Sequence, residues 1–171
     1  KAKVFNADFA AARNMLKPAL TNPETANDVQ TWYVAGTIEY GDYDNLLGKK
    51  AVGQNVDGKT MGTDLLLGYD YFIKALPMDS IVEVDKTGAP KLNKDGSKKI
   101  KTKYSKDMVK KIAAHHQDYV SAGQYLWDAK DFDGAYRAWD IYLTLPDNKM
   151  LGNDAPAALP DSVSAEISYF Q

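Results

Sequence analysis

The chain has 171 residues, 44% hydrophobic and 26% charged, with a formal net charge of −2 and no cysteine. That length buries a core within one domain without staples, and the composition excludes disulfides, thiolate zinc sites and cysteine catalysis. A charge so close to balance gives the whole molecule no bias toward nucleic acid or anionic lipid, and no apolar run approaches the roughly 20 residues of a membrane-spanning helix. The chain starts at Lys1 and stops at Tyr169-Phe170-Gln171 inside a helical pattern. The expectation is a cleaved or trimmed start and a native chain that continues.

In Phe5 to Leu20, the residues Phe9, Ala12, Leu16 and Ala19-Leu20 recur at spacings of three and four, one face of a helix. Pro18 predicts a kink or an early end there. Asn22-Pro23-Glu24-Thr25 reads as a turn, and Asn27-Asp28 caps a helix from about Val29 to Tyr40. The glycine-rich Gly41 to Gly62 reads as an insertion with at most a short helix around Asn45 to Ala51. Thr63-Asp64 then opens an apolar run, Leu65 to Leu76, that Pro77 closes. Ile81 to Lys103 combines alternating Ile81-Val82-Glu83-Val84 with Thr87-Gly88 and Asp95-Gly96, a small β-hairpin or a mobile loop. Ser105 as N-cap predicts one helix to about Ala129, through Met108, Ile112, Tyr119, Gly123 and Leu126. Its partner runs from Asp133 to Leu145, and Pro160-Asp161-Ser162 starts a last helix, Val163 to Phe170.

Two helices share a pattern. Trp32-Tyr33-Val34-Ala35-Gly36 and Tyr119-Val120-Ser121-Ala122-Gly123 both read aromatic, two variable residues, Ala-Gly. After the second come Leu126, Phe132, Ala135, Trp139, Tyr142 and Pro146. With Tyr119 at position four, this series resembles the tetratricopeptide repeat (TPR), a helix-turn-helix unit of about 34 residues. Tyr142 departs from the alanine usual there, and Pro146 arrives about one residue early. Gly68, Phe72, Ala75 and Leu76 fit the second helix of an earlier repeat, and Phe9 to Leu20 that of one before it. Gly36 and Gly123 are 87 residues apart, so the extra length must sit in loops, which a stacked array tolerates. The resemblance implies an all-α domain over 1–171: antiparallel helix pairs stacked as a right-handed solenoid, with irregular insertions at about 41–63 and 77–104. The plain alternative is a four-helix bundle with coincidental aromatics. The layout, with a lysine-rich loop ending Lys101-Thr102-Lys103-Tyr104-Ser105-Lys106, also resembles repeat proteins exported by Gram-negative anaerobes, which implies a periplasmic or other extracytoplasmic location.

In that family the first helices line a concave wall. Carried over, the wall comprises Gln30, Tyr33, Thr37 and Tyr40 from one unit, and Gln117, Val120, Gln124 and Trp127 from the other. Aromatics interleaved with amides suit an extended peptide, rings covering apolar side chains while amides bond its backbone. The alternative is that Tyr40 and Trp127 pack against the insertions, since a large apolar patch seldom stays bare on a monomer. Tyr33, Thr37, Val120 and Gln124 stand where a carboxylate clamp would need Lys, Asn and Arg, so a terminal-carboxylate clamp is not expected. His115-His116 are adjacent and point about 100° apart on a helix, so they do not share a metal; one solvated and one half-buried histidine is expected. Asp131-Phe132-Asp133-Gly134 is a turn rather than a calcium loop, since the first ligand would be Ala129. Lys86 to Lys111 holds ten lysines against Asp95 and Asp107. Without arginine or interleaved aromatics it reads as a solvated loop, with docking on an acidic partner behind that and nucleic acid not expected. No nucleophile elbow, phosphate loop or dinucleotide fingerprint is present. The expected function is therefore a non-catalytic scaffold, without cofactor or metal, binding a protein or peptide on its concave face. The alternative is a glycan- or small-ligand-binding envelope protein in which Trp127, Tyr33 and Tyr40 stack on sugars. The last helix could also mediate self-association, because repeat arrays need a polar cap.

Overall fold

Helix α1 (Phe9–Thr21) begins where the Asp8 carboxylate accepts the Ala11 N–H at 2.8 Å. The computed structural model describes residues 8–170, without the side chains of Asp161, Tyr169 and Phe170; the expected start at Phe5 and the end at Gln171 lie outside them. Pro18 does not end α1, which continues to Thr21. Asn14, whose carbonyl loses its donor, and Pro18 both lie on the exposed side, where water can take the orphaned group.

Helix α2 (Val29–Ala51), capped by Asp28, is nearly twice its expected length. The segment from Gly41 is helical rather than an irregular insertion. The glycine there is a packing notch: a Cβ on Gly41 would lie 3.0 Å from the Phe9 ring. Two residues on, Tyr43 is fully buried. That burial outweighs a helix-propensity cost of about 1 kcal/mol per glycine. The true break is short, residues 52–57 with Gly53 at φ +79°, before α3 (Gly58–Ala75), capped by Asp57. A 3-10 turn, Leu76–Met78, holds Pro77 and ends the helix.

Glycine notches set the helix pairing. A Cβ on Gly36 would lie 2.3 Å from the Phe72 ring, and one on Gly68 2.9 Å from the Tyr40 ring. Contacts 36 to 72 and 40 to 68 run in opposite directions, so α2 and α3 are antiparallel. The same device joins α5 (Asp118–Asp128) to α6 (Phe132–Thr144), where Gly123 faces the Trp139 indole. Asp131, which caps α6 by accepting the Gly134 N–H at 3.1 Å, makes the turn. Lys130, just before it, takes the left-handed conformation at φ 61°. Between the pairs, Gly62 of α3 seats Leu126 of α5. After α6 come 3-10 turns at Leu145–Asp147, with Pro146, and at Lys149–Asp154. In α7 (Asp161–Phe170), Val163 and Ile167 pack on the core.

The helix expected from Ser105 to Ala129 is two helices, α4 (Ser105–Ala114) and α5, broken at His115-His116-Gln117. Both histidines are buried, neither solvated nor half-buried as expected. His116 stacks on Tyr142, and its Nε2–H donates to the Tyr142 carbonyl at 2.8 Å. His115 Nδ1–H donates to Asp118 at 2.7 Å. Two rings satisfied by different helices hold the break open, so α4 lies along α2 while α5 follows α3 and α6. Ser105 is the first helical residue rather than the cap. The capping group is remote: Asp79 accepts the N–H groups of Lys103, Tyr104 and Ser105 and the Ser105 hydroxyl, at 2.6 to 3.0 Å.

Residues 81–103 form the small β insertion. Strands β1 (Ile81–Val82) and β2 (Ile100–Lys101) pair antiparallel, and single bridges join Val84 to Pro90 and Leu92 to Lys98. Backbone N–H groups of Glu83, Lys91 and Lys99 donate to Lys99, Glu83 and Lys91 respectively, at 2.8 to 2.9 Å. The three short arms therefore meet in a cloverleaf around that ring. Two arms turn at Gly88 (φ +85°) and Gly96 (φ +83°), as Thr87-Gly88 and Asp95-Gly96 predict. The missed signal is an eight-residue repeat: Val84-Asp85-Lys86-Thr87-Gly88-Ala89-Pro90-Lys91, then Leu92-Asn93-Lys94-Asp95-Gly96-Ser97-Lys98-Lys99. The fold is thus all-α with a small β insertion, and among the described residues no helix is long and apolar enough to cross a membrane.

Candidate functional site

The two halves of the expected wall differ. On α2, Tyr33 stacks on Tyr104 with centroids 4.3 Å apart, and its hydroxyl donates to Asp107 at 2.9 Å. Burial, with that hydrogen bond and the Asp107 charge, raises its phenol pKa. The Gln30 side-chain carbonyl accepts from the Tyr104 hydroxyl at 3.2 Å, and the exposed Thr37 donates to the Tyr33 carbonyl at 2.8 Å. Tyr40 is 0% exposed; its hydroxyl shares a 2.9 Å hydrogen bond with Tyr119, and His115 stacks on its ring at 4.9 Å. Burial pushes this phenol far up. Tyr40 is therefore a core residue, not a contact residue, because His115 in the turn, Tyr119 of α5 and Phe72 of α3 enclose its ring.

The α5 half stays open. Gln117, Gln124 and Trp127 are exposed and Val120 half-buried, at spacings of three, four and three that keep them on one side. Gln124 Nε2 donates to Asp128 at 2.8 Å. Trp127, 47% exposed, meets Phe132 edge to face at 4.8 Å and lies 6.0 Å from Trp139. Phe132 and Tyr136, one turn apart on α6, are 52% and 50% exposed and extend the apolar surface. Sequence reasoning missed both; one signal was Phe132 beside the α5–α6 turn, at a helix start where the core stripe has not begun. Next to this face lies a cleft of about 380 Å³ lined by Lys50, Asp57, Tyr125 and Asp128, in which Lys50 hydrogen-bonds the Tyr125 hydroxyl.

A second concavity of about 340 Å³ lies between α1, α2 and α3, lined mainly by Leu16, Leu20, Ala35, Ile38, Leu67 and Tyr71. At its end Arg13 donates to Glu39 at 2.6 to 3.1 Å, to Asp42 at 2.7 Å and to Asp64 at 2.9 Å. No spacing in the sequence brings these four groups together. Asp64 Oδ2 is buried with no hydrogen-bond partner among the described residues. Burial, helped by Asp42 and Glu39 and opposed by Arg13, raises the Asp64 pKa to about 7. The folded state then binds a proton that the unfolded chain releases near its ordinary carboxylate pKa, so this contribution to stability falls as pH rises from about 4 through about 7. Asp64→Asn should flatten that decline, and thermal melts of both proteins between about pH 5 and pH 8 measure it. An Asp64→Asn protein that loses stability across this range as steeply as wild type contradicts the assignment.

Among the described residues no cluster of three or more His, Asp or Glu is arranged to hold a metal ion. No family model, curated protein or solved structure matches the chain.

Proposed function

We propose that this chain is a non-catalytic interaction scaffold of the TPR type, its helix pairs stacked as a right-handed solenoid, which binds a peptide or partner segment on the open side of α5. The observation that carries the reading is the repeated notch: Gly36 seats Phe72 in one helix pair, and Gly123 seats Trp139 in the next. Both glycines stand at the same place in the pattern, and both rings at another. A bundle with coincidental aromatics has no reason to reuse one notch in register.

In this reading Trp127, Val120 and Phe132 cover apolar side chains of the bound segment, and the Gln117 and Gln124 amides bond its backbone. Gln30 and Thr37 are exposed on the α2 half of the expected wall. Export to the cell envelope, and self-association through α7, belong to the same proposal. The half-exposed rings of Trp127, Phe132 and Tyr136 also favour a second reading, in which they stack on the faces of a glycan.

Selection from a displayed random-peptide library tests the first reading. Wild-type protein should enrich a shared motif, and Trp127→Ala/Gln124→Ala should weaken its binding by about 30-fold, the loss typical of a central aromatic anchor. Equal binding by the variant would move the site off α5. No enrichment, with retention on a glycan array lost in Trp127→Ala, would favour the second reading.

A further inference from the structure

The cloverleaf at 81–103 has two unlike faces. Val82 pairs with Ile100, Val84 with Pro90, and Leu92 with Lys98. Directly paired residues share a face, and side chains alternate along a strand. Val82, Val84, Pro90, Leu92, Lys98 and Ile100 therefore lie on one face, and Ile81, Glu83, Lys91, Lys99 and Lys101 on the other. The aliphatic face is open: Val84 is 52% exposed, Leu92 62% and Ile100 47%. The segment also holds seven lysines and three acids. The acids are already engaged. Glu83 lies 3.4 Å from both Lys91 and Lys99, while Asp85 and Asp95 accept hydrogen bonds inside their own turns. Lys86 and Lys94 at the arm tips, and Lys98, which pairs with Leu92 on the aliphatic face, make no ion pair among the described residues; Lys101 pairs with Ile81 on the other face.

We propose that this face docks on an anionic lipid surface, its aliphatic side chains entering the headgroup region and its lysines pairing with lipid phosphates. The residue types decide between lipid and protein as the partner. The face has no aromatic or arginine anchor, which hot spots on protein partners favour, and it is rich in lysine, which protein interfaces avoid. Lysine beside an anionic bilayer strengthens binding by about fivefold per residue, and aliphatic insertion adds to that. A net charge of −2 for the whole chain does not oppose this, because screening confines the interaction to charges within about 10 Å of the membrane.

Sedimentation with phosphatidylcholine vesicles, with and without phosphatidylglycerol, tests the proposal. Wild-type protein should sediment with the anionic vesicles, stay in solution with the neutral ones, and be released by salt. Lys86→Glu/Lys94→Glu/Lys98→Glu should lower vesicle affinity by about 100-fold. Val84→Ser/Leu92→Ser should lower it by about tenfold, with the melting temperature unchanged, since both side chains lie outside the core. Absence of sedimentation with anionic vesicles overturns the proposal, as does wild-type affinity in the serine variant. Retention on immobilised polyglutamate without vesicle binding would assign the face to an acidic protein instead.

Discussion

Replacing Gly123 by alanine should lower the melting temperature by about 6–12 °C, corresponding to a loss of about 3 kcal/mol. Intrinsic propensity predicts the opposite sign, since alanine is the better helix former by about 1 kcal/mol. Packing decides it. A Cβ at position 123 would lie 2.1 Å from Trp139 Nε1 and 2.5 Å from two further ring atoms. The indole has little freedom to retreat, being 5% exposed, with its N–H donated to the Val120 carbonyl at 3.3 Å and Trp127 6.0 Å away. Gly36→Ala should behave alike, its Cβ falling 2.3 Å from the Phe72 ring. Adding Trp139→Leu to Gly123→Ala should recover part of the loss, because removing the ring frees the notch. Melts followed by circular dichroism read all of these. Stabilisation by Gly123→Ala would mean that the helices are not held together by this contact.

The second large effect is at Asp79, which is 1% exposed yet charged. Burial alone would raise its pKa, but the Ser105 hydroxyl and the N–H groups of Lys103, Tyr104 and Ser105 outweigh that and hold it below the ordinary carboxylate value. One carboxylate thus closes the base of the cloverleaf and caps α4. Asp79→Asn turns an amide N–H₂ toward donors that need an acceptor, and should cost about 3 kcal/mol near neutral pH. Because the folded-state pKa is depressed, the carboxylate's contribution is complete above the unfolded pKa of about 4 and is lost as pH falls through the folded value. The stability gap between wild type and Asp79→Asn should therefore narrow below about pH 4, the opposite pH sense to Asp64. Urea unfolding of both proteins at neutral and acid pH measures the gap, and one that stays constant would deny that the charged form is what the backbone N–H groups bind.

Helix identity was legible because the three-four spacing of Phe9, Ala12 and Leu16, and of Tyr119, Gly123 and Leu126, is a local property of the chain. The pairing notches were legible for the same reason, being small residues at a repeated place in the pattern. What escaped depended on partners far along the chain. Gly41 looked like a loop marker because Phe9, which fills the space at its Cα, is 32 positions earlier. The break at His115-His116 follows from the Tyr142 carbonyl and Asp118, one of them on another helix. Tyr40 has the residue type of a contact wall, but the His115 turn that covers its ring lies where the spacing predicts one straight helix. On α5, Gln117, Gln124 and Trp127 are exposed, while the Arg13 cluster joins three helices and leaves no linear trace.

Whether the proposed segment binds on the open side of α5 can be read residue by residue by nuclear magnetic resonance. The isotope-labelled protein is titrated with a peptide recovered by display, and the backbone amides that shift are mapped. The largest changes should run along Gln117, Val120, Gln124 and Trp127 and continue into Phe132, with the indole N–H of Trp127 among them. Changes centred on the Arg13–Tyr71 groove, or on the lysine-rich arms with α5 unmoved, would contradict binding there.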